Sequence, residues 1–129
     1  MQSSNIITLD NCQNACEYIA LNKTIEQLIV DHPNATFYGF ASGNSMENAG
    51  IFDGDLLIID RAADCDTGDI IVALYNGAFV CKIIDKYKRL LISASAAYPA
   101  IYIKNSDEFC IEGVVTRSIR LFKKPSLTI

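Results

Sequence analysis

Beyond residue 37 the apolar positions fall into short blocks, each introduced by turn residues. "DLLIID" (55–60) follows Asp53-Gly54, "DIIVALY" (69–75) follows Gly68, and "AFVCKII" (78–84) follows Asn76-Gly77. "RLLISAS" (89–95) and "FCIEGVVTRSIRLF" (109–122) complete the series. Strand-length blocks between turn residues, with no long helical period among them, predict a mostly β domain. The one helical pattern is "TIEQLIVDHP" (24–33). Thr24 is placed to cap it with Gln27 three positions on, and Pro33 ends it at His32. Residues 1–22 are mixed and without clear period. They read as a flexible N-terminal arm ahead of a single domain over residues 23–129.

Asn76-Gly77 predicts a register. A two-residue type I′ turn pairs Tyr75 with Ala78, and hence Ala73 with Val80 and Ile71 with Lys82. Ile71, Ala73, Val80, Lys82 and Ile84 then share one face, and Val72, Leu74, Phe79, Cys81 and Ile83 the other. Lys82 is the only charge in the second strand, on a face that is otherwise apolar. Two readings stand. On an edge strand its ammonium could snorkel to water. Alternatively, burial lowers its pKa, so that a neutral amine is available to take a proton.

Composition narrows the classes. The 129 residues are half apolar and carry a net charge of -4, which fits one globular domain and argues against a phosphate-binding surface. The small basic groups Lys86/Lys88/Arg89 and Arg117/Arg120/Lys123/Lys124 read as solvated edges or tails. No signal peptide and no run of about 18 apolar residues is visible, so the expectation is a cytoplasmic protein with no membrane contact. Five cysteines, an odd number, fit reduced thiols. Cys12 and Cys16 could meet on a helix, but with one histidine and no second pair no metal or other cofactor is expected.

The chemistry centres on "ASGNSMENAGIFDGDLLIIDRA" (41–62), where Ser45 sits in a glycine-containing loop before an apolar strand. Its ordinary role would be to cap a turn. A nucleophilic serine needs a base, and a neutral lysine serves without histidine. The loop reads G-N-S-M-E, which is not the G-x-S-x-G elbow of histidine-based hydrolases. His32, the sole histidine, precedes a proline and reads as part of a helix-ending loop.

At these residues the chain resembles the LexA/UmuD family of self-cleaving proteins, and within it the UmuD branch. The likeness runs over residues 28–120, through "LIVDHPNATFYGFASGNSM", "GIFDGDLLIIDRA", "GDIIVALYNGAFVCKI" and "GVV". The resemblance implies a LexA/signal-peptidase-like fold with Ser45 as nucleophile and Lys82 as general base. It implies an oxyanion hole from the backbone N–H groups of Asn44 and Ser45. It also implies a homodimer that cleaves its own N-terminal segment when prompted by a RecA filament on single-stranded DNA in the SOS response. The processed dimer of the UmuD branch is the accessory subunit of a UmuC-type translesion DNA polymerase. The arm is too short for a helix-turn-helix, so no sequence-specific DNA binding is expected. Residues 113–120, taken as the strand that ends the sheet, are the expected part of the dimer contact.

One feature departs from the family. Its scissile bond is Ala-Gly or Cys-Gly, well upstream of the serine; here the matching offset falls near Leu9-Asp10, and no glycine precedes Gly39. Ala49-Gly50 lies after the nucleophile, at a structural position of the family. A processed chain, an atypical bond, or a site kept without self-cleavage would each account for this. The alternative function is a non-catalytic dimeric module that recruits a polymerase. A signal-peptidase-type enzyme would require membrane attachment.

Overall fold

The computed structural model describes residues 22–125 in full and, before them, the backbone of two strands, β1 (Ser4–Leu9) and β2 (Ala15–Leu21). Two compact units form, Met1–Pro33 and Asn34–Ile129. In the first, β1 and β2 pair antiparallel, with Ile7 opposite Tyr18, in a segment whose sequence gave no strand period. Cys16 lies on β2 rather than on a helix, and Cys12 falls outside the described residues.

Helix α1 spans Ile25–Ile29. Thr24 caps it as expected: the Gln27 N–H donates to Thr24 Oγ1 at 3.1 Å, and the Thr24 N–H donates to Gln27 Oε1 at 3.0 Å. The helix stops before the predicted end at His32. Val30 is extended (φ -115°, ψ 109°) and buried, so burial of a β-branched side chain overrides continuation of the helix. Pro33 instead opens a 3-10 turn, Pro33–Ala35.

The second unit bears out the mostly β expectation. Its strands are β3 (Thr36–Phe40), β4 (Leu56–Asp60), β5 (Ile70–Tyr75), β6 (Ala78–Asp85), β7 (Leu90–Ile92), β8 (Ile101–Tyr102) and β9 (Phe109–Ile119). They form one antiparallel sheet in the order β3-β4-β9-β5-β6-β7-β8. The hairpin register is the predicted one, with Tyr75 opposite Ala78 and Ile71 opposite Lys82. Asn76 (φ 48°) and Gly77 (φ 86°) make the left-handed turn that this pairing requires.

β9 corrects the expectation that the last strand ends the sheet. It lies between β4 and β5, pairing with β4 from Val114 to Ile119 and with β5 from Phe109 to Val114, so it runs through the middle of the sheet rather than along its rim. Chain order does not dictate spatial order in an antiparallel sheet, and only the connections decide it. The block at 89–95 also shortens, to the three residues of β7.

Apolar clusters cover both faces. Ile71, Ala73 and Val114 pack with Ile84, Leu91 and Ile103, while Val72 joins Met46, Ile51, Leu57 and Ile59. Alternation along β5 sends neighbours to opposite clusters, which is why its sequence is a continuous apolar run. Each fully buried isoleucine or leucine among these contributes roughly 1.5–3 kcal/mol. The bulged stretch of β9 brings Gly113 against β4, where a Cβ would lie 2.7 Å from Ile59 Cγ2 and 3.1 Å from the Asp60 carbonyl oxygen. Only glycine fits without displacement.

Candidate active site

The loop carrying Ser45 joins β3 to β4 and is fastened at several points. The Ala41 N–H donates to the Asp55 carbonyl at 2.9 Å, and the Gly54 N–H donates to the Ala41 carbonyl at 2.8 Å. Gly43 turns the chain at φ 86° while its N–H donates to Asp53 Oδ1 at 2.8 Å. Met46 and Ile51 are buried and anchor the loop from below. Gly50, at φ 84°, closes a short 3-10 turn, Glu47–Ala49, so Ala49-Gly50 is a structural turn. Small residues thus bend the loop and two apolar residues pin it, which leaves Ser45 half-buried and Asn44 exposed. Among the described residues, the N–H groups of Asn44 and Ser45 donate to nothing.

Lys82 lies at the last β6 position before pairing with β7 begins, since that ladder starts at Ile83 opposite Ile92. Its amine is not in bulk water. Nζ donates to Ser45 Oγ at 3.0 Å and to Ser93 Oγ at 2.7 Å, and the residue is half-buried. Desolvation, the main cause, lowers the lysine pKa from its ordinary value. Burial pushes the adjacent Cys81 thiol up to about 11, so it stays protonated and is a poor nucleophile near neutral pH. His32 is exposed in the first unit, and the nitrogen that meets Ser45 is that of Lys82.

A cavity of about 200 Å³ is lined by Ser45 and Lys82, and a second of about 340 Å³ adjoins it. Both are walled by Ala41 and Ser42 on one side and by Phe79, Val80 and Cys81 on the other. β3 and β6 stand four places apart in the sheet, yet they line the same space. Among the described residues, Phe37–Phe40 of β3 pair only with β4 and residues 78–82 of β6 only with β5, so each bank presents a strand edge to the groove. Exposed Tyr38, Phe40 and Phe79 add an apolar rim. Open strand edges beside an apolar groove suit an extended peptide, which adds as a strand and seats alternate side chains.

Sequence reading missed Ser93 and Tyr98. Ser93 accepts from the lysine, and Tyr98 places its ring centroid 5.6 Å from Lys82 Nζ and donates its hydroxyl to Asn44 Oδ1 at 2.6 Å. Neither carries a local signal, because both belong to the irregular chain after β7. Among the described residues, no three His, Cys, Asp or Glu side chains gather to hold a metal, and no helix is long and apolar enough to cross a membrane.

A hydroxyl and a half-buried amine in contact beside a peptide-sized groove are the components of a serine–lysine hydrolytic site. The comparisons agree in class: residues 7–116 match the family described as peptidase S24-like, and the chain belongs to that family. It is similar to Protein ImpA of Salmonella typhimurium, at 34% identity over 85% of this chain and 79% of the relative. Protein MucA of Escherichia coli is 35% identical over 74% of this chain and 66% of its own, and Protein SamA of Salmonella typhimurium 34% over 81% and 74%. The LexA repressor of Bordetella pertussis matches at 36%, over 60% of this chain and 37% of its own. These relatives bear out the resemblance to the UmuD branch, on the SOS-mutagenesis side of the family.

Proposed function

We propose that this UmuD-like chain is a self-cleaving serine peptidase in which Ser45 is the nucleophile and Lys82 the general base. Neutral Lys82 takes the Ser45 proton as Oγ attacks a peptide carbonyl. The N–H groups of Asn44 and Ser45 stabilise the resulting oxyanion. The lysine ammonium then protonates the leaving amine, and water releases the acyl group from Ser45 by the same steps. The observation that carries this reading is the 3.0 Å contact between Lys82 Nζ and Ser45 Oγ beside the groove. Family likeness extends the proposal to a cytoplasmic homodimer, to cleavage prompted by RecA filaments on single-stranded DNA, and to partnership with a UmuC-type translesion polymerase.

Intact mass after incubation with an activated RecA filament tests it. The expected result is loss of an N-terminal fragment in wild type and none in Ser45→Ala or Lys82→Ala. The second reading, a dimeric module that binds a polymerase without cutting, draws on the missing glycine upstream of Gly39. Unchanged mass under all conditions, with polymerase binding retained in both variants, would establish it.

A further inference from the structure

Ser45 and Lys82 stand on different elements, and a third segment touches both. Residues 93–98 leave the end of β7 and accept from Lys82 through Ser93 Oγ, and from the Asn48 N–H through the Ala94 carbonyl at 2.8 Å. Tyr98 closes the segment, with its N–H donating to the Ser95 carbonyl at 3.3 Å. It is 43% exposed, so burial alone does not account for its placement. Its hydroxyl reaches the residue before the nucleophile at 2.6 Å, and its ring faces the base amine at 5.6 Å.

We infer that Tyr98 is a positioning residue that locks the serine loop to the lysine, through its hydroxyl on Asn44 and its ring face on the Lys82 amine. The inference rests on the serine–lysine reading above. Restraining Asn44 fixes the backbone whose N–H groups would meet the oxyanion, where small displacements are costly. The ring acts separately. An aromatic face attracts a cation, so it favours the ammonium that Lys82 becomes as Ser45 attacks. This opposes the desolvation that depresses the amine, and keeps the lysine a competent base. The titratable groups beside the amine are the Cys81 thiol on its own strand and the Tyr98 phenol. Ser45 and Ser93 present neutral hydroxyls.

Two variants separate the contacts: Tyr98→Phe keeps the ring, and pentafluorophenylalanine at position 98 keeps the shape but removes the negative face. Three readouts apply to the full chain. They are Ser45 labelling by a fluorophosphonate across pH, the Lys82 titration midpoint by NMR, and backbone order parameters at the Asn44 and Ser45 amides. Tyr98→Phe is expected to lower the labelling plateau about tenfold and to lower those order parameters, with the midpoint unmoved. The fluorinated ring is expected to lower the midpoint by about half a pH unit relative to Tyr98→Phe. Wild-type order parameters in Tyr98→Phe, or equal midpoints for the two rings, would overturn the inference. If wild-type Ser45 is not labelled at any pH, the serine–lysine reading fails, and the midpoints and order parameters still decide the role of Tyr98.

Discussion

Arg120 reaches the buried carboxylate of Asp55 with two guanidinium nitrogens, Nε to Oδ1 and Nη2 to Oδ2, the latter at 3.1 Å. Asp55 also accepts the Phe52 N–H at 2.8 Å and the Ser118 hydroxyl at 3.4 Å. The guanidinium stacks 4.2 Å from the Phe52 ring centroid and donates to the Gly50 carbonyl at 3.4 Å. The chain just past β9 is thereby fastened to the turn that supports the serine loop. Asp55→Ala would strand the Phe52 N–H and the Arg120 fork, and is expected to cost about 3 kcal/mol in chemical denaturation.

The same pair predicts an acid dependence. The Arg120 hydrogen bond, the largest influence, holds the Asp55 carboxyl below its ordinary value of 3.8 against the opposing effect of burial. A depressed folded pKa contributes stability above the unfolded value, and this is lost as pH falls through the folded one. Arg120→Ala is therefore expected to melt below wild type at pH 7, with the gap closing below about pH 4. Melting curves from pH 7 to 2.5 check this, and a constant gap would contradict it.

Cleavage should rise with pH. Only neutral Lys82 can take the Ser45 proton, and burial brings its pKa below the ordinary 10.5. Below that midpoint the rate is expected to climb about tenfold per pH unit, then level off. Ser45→Ala and Lys82→Ala should each abolish cleavage, with the double variant scarcely worse than either, because the two act as a unit. His32→Ala should leave it intact. A rate midpoint near pH 6.5, or activity without Lys82, would refute the pair.

Gly113→Ala places a methyl group against Ile59 and the Asp60 carbonyl, where nothing flexible can yield. The expected cost is about 1–3 kcal/mol, read as a lower urea midpoint with unchanged slope. Gly77→Ala, in an open left-handed turn, meets no neighbour and is expected to lose only about 1 kcal/mol from backbone strain.

The hairpin was legible to the residue because its information is local. Asn76-Gly77 selects one turn, the turn fixes Ile71 opposite Lys82, and alternation follows. The serine loop was legible for a similar reason, as its glycines and buried Met46 lie within a few residues. What escaped the sequence is long-range. The central place of β9, the Asp55–Arg120 tie and the approach of Ser93 and Tyr98 depend on how distant segments fold over one another. β8 escaped because two residues carry no period. Val30 shows the converse: the capping signal placed the start of α1, while burial placed its end.

The position of β9 also sets a timetable. In the sheet, β3 and β4 carry the serine loop, β5 and β6 carry the lysine, and among the described strands β9 alone joins the two hairpins. β9 follows the other described strands in the chain, so ribosomes deliver it after both hairpins have emerged. Until residues 109–119 arrive, Ser45 and Lys82 ride on separate pieces of sheet with no ladder between them. A half-made chain thus lacks the strand that welds the two pieces into one sheet, and contacts such as those of residues 93–98 are left to span the gap.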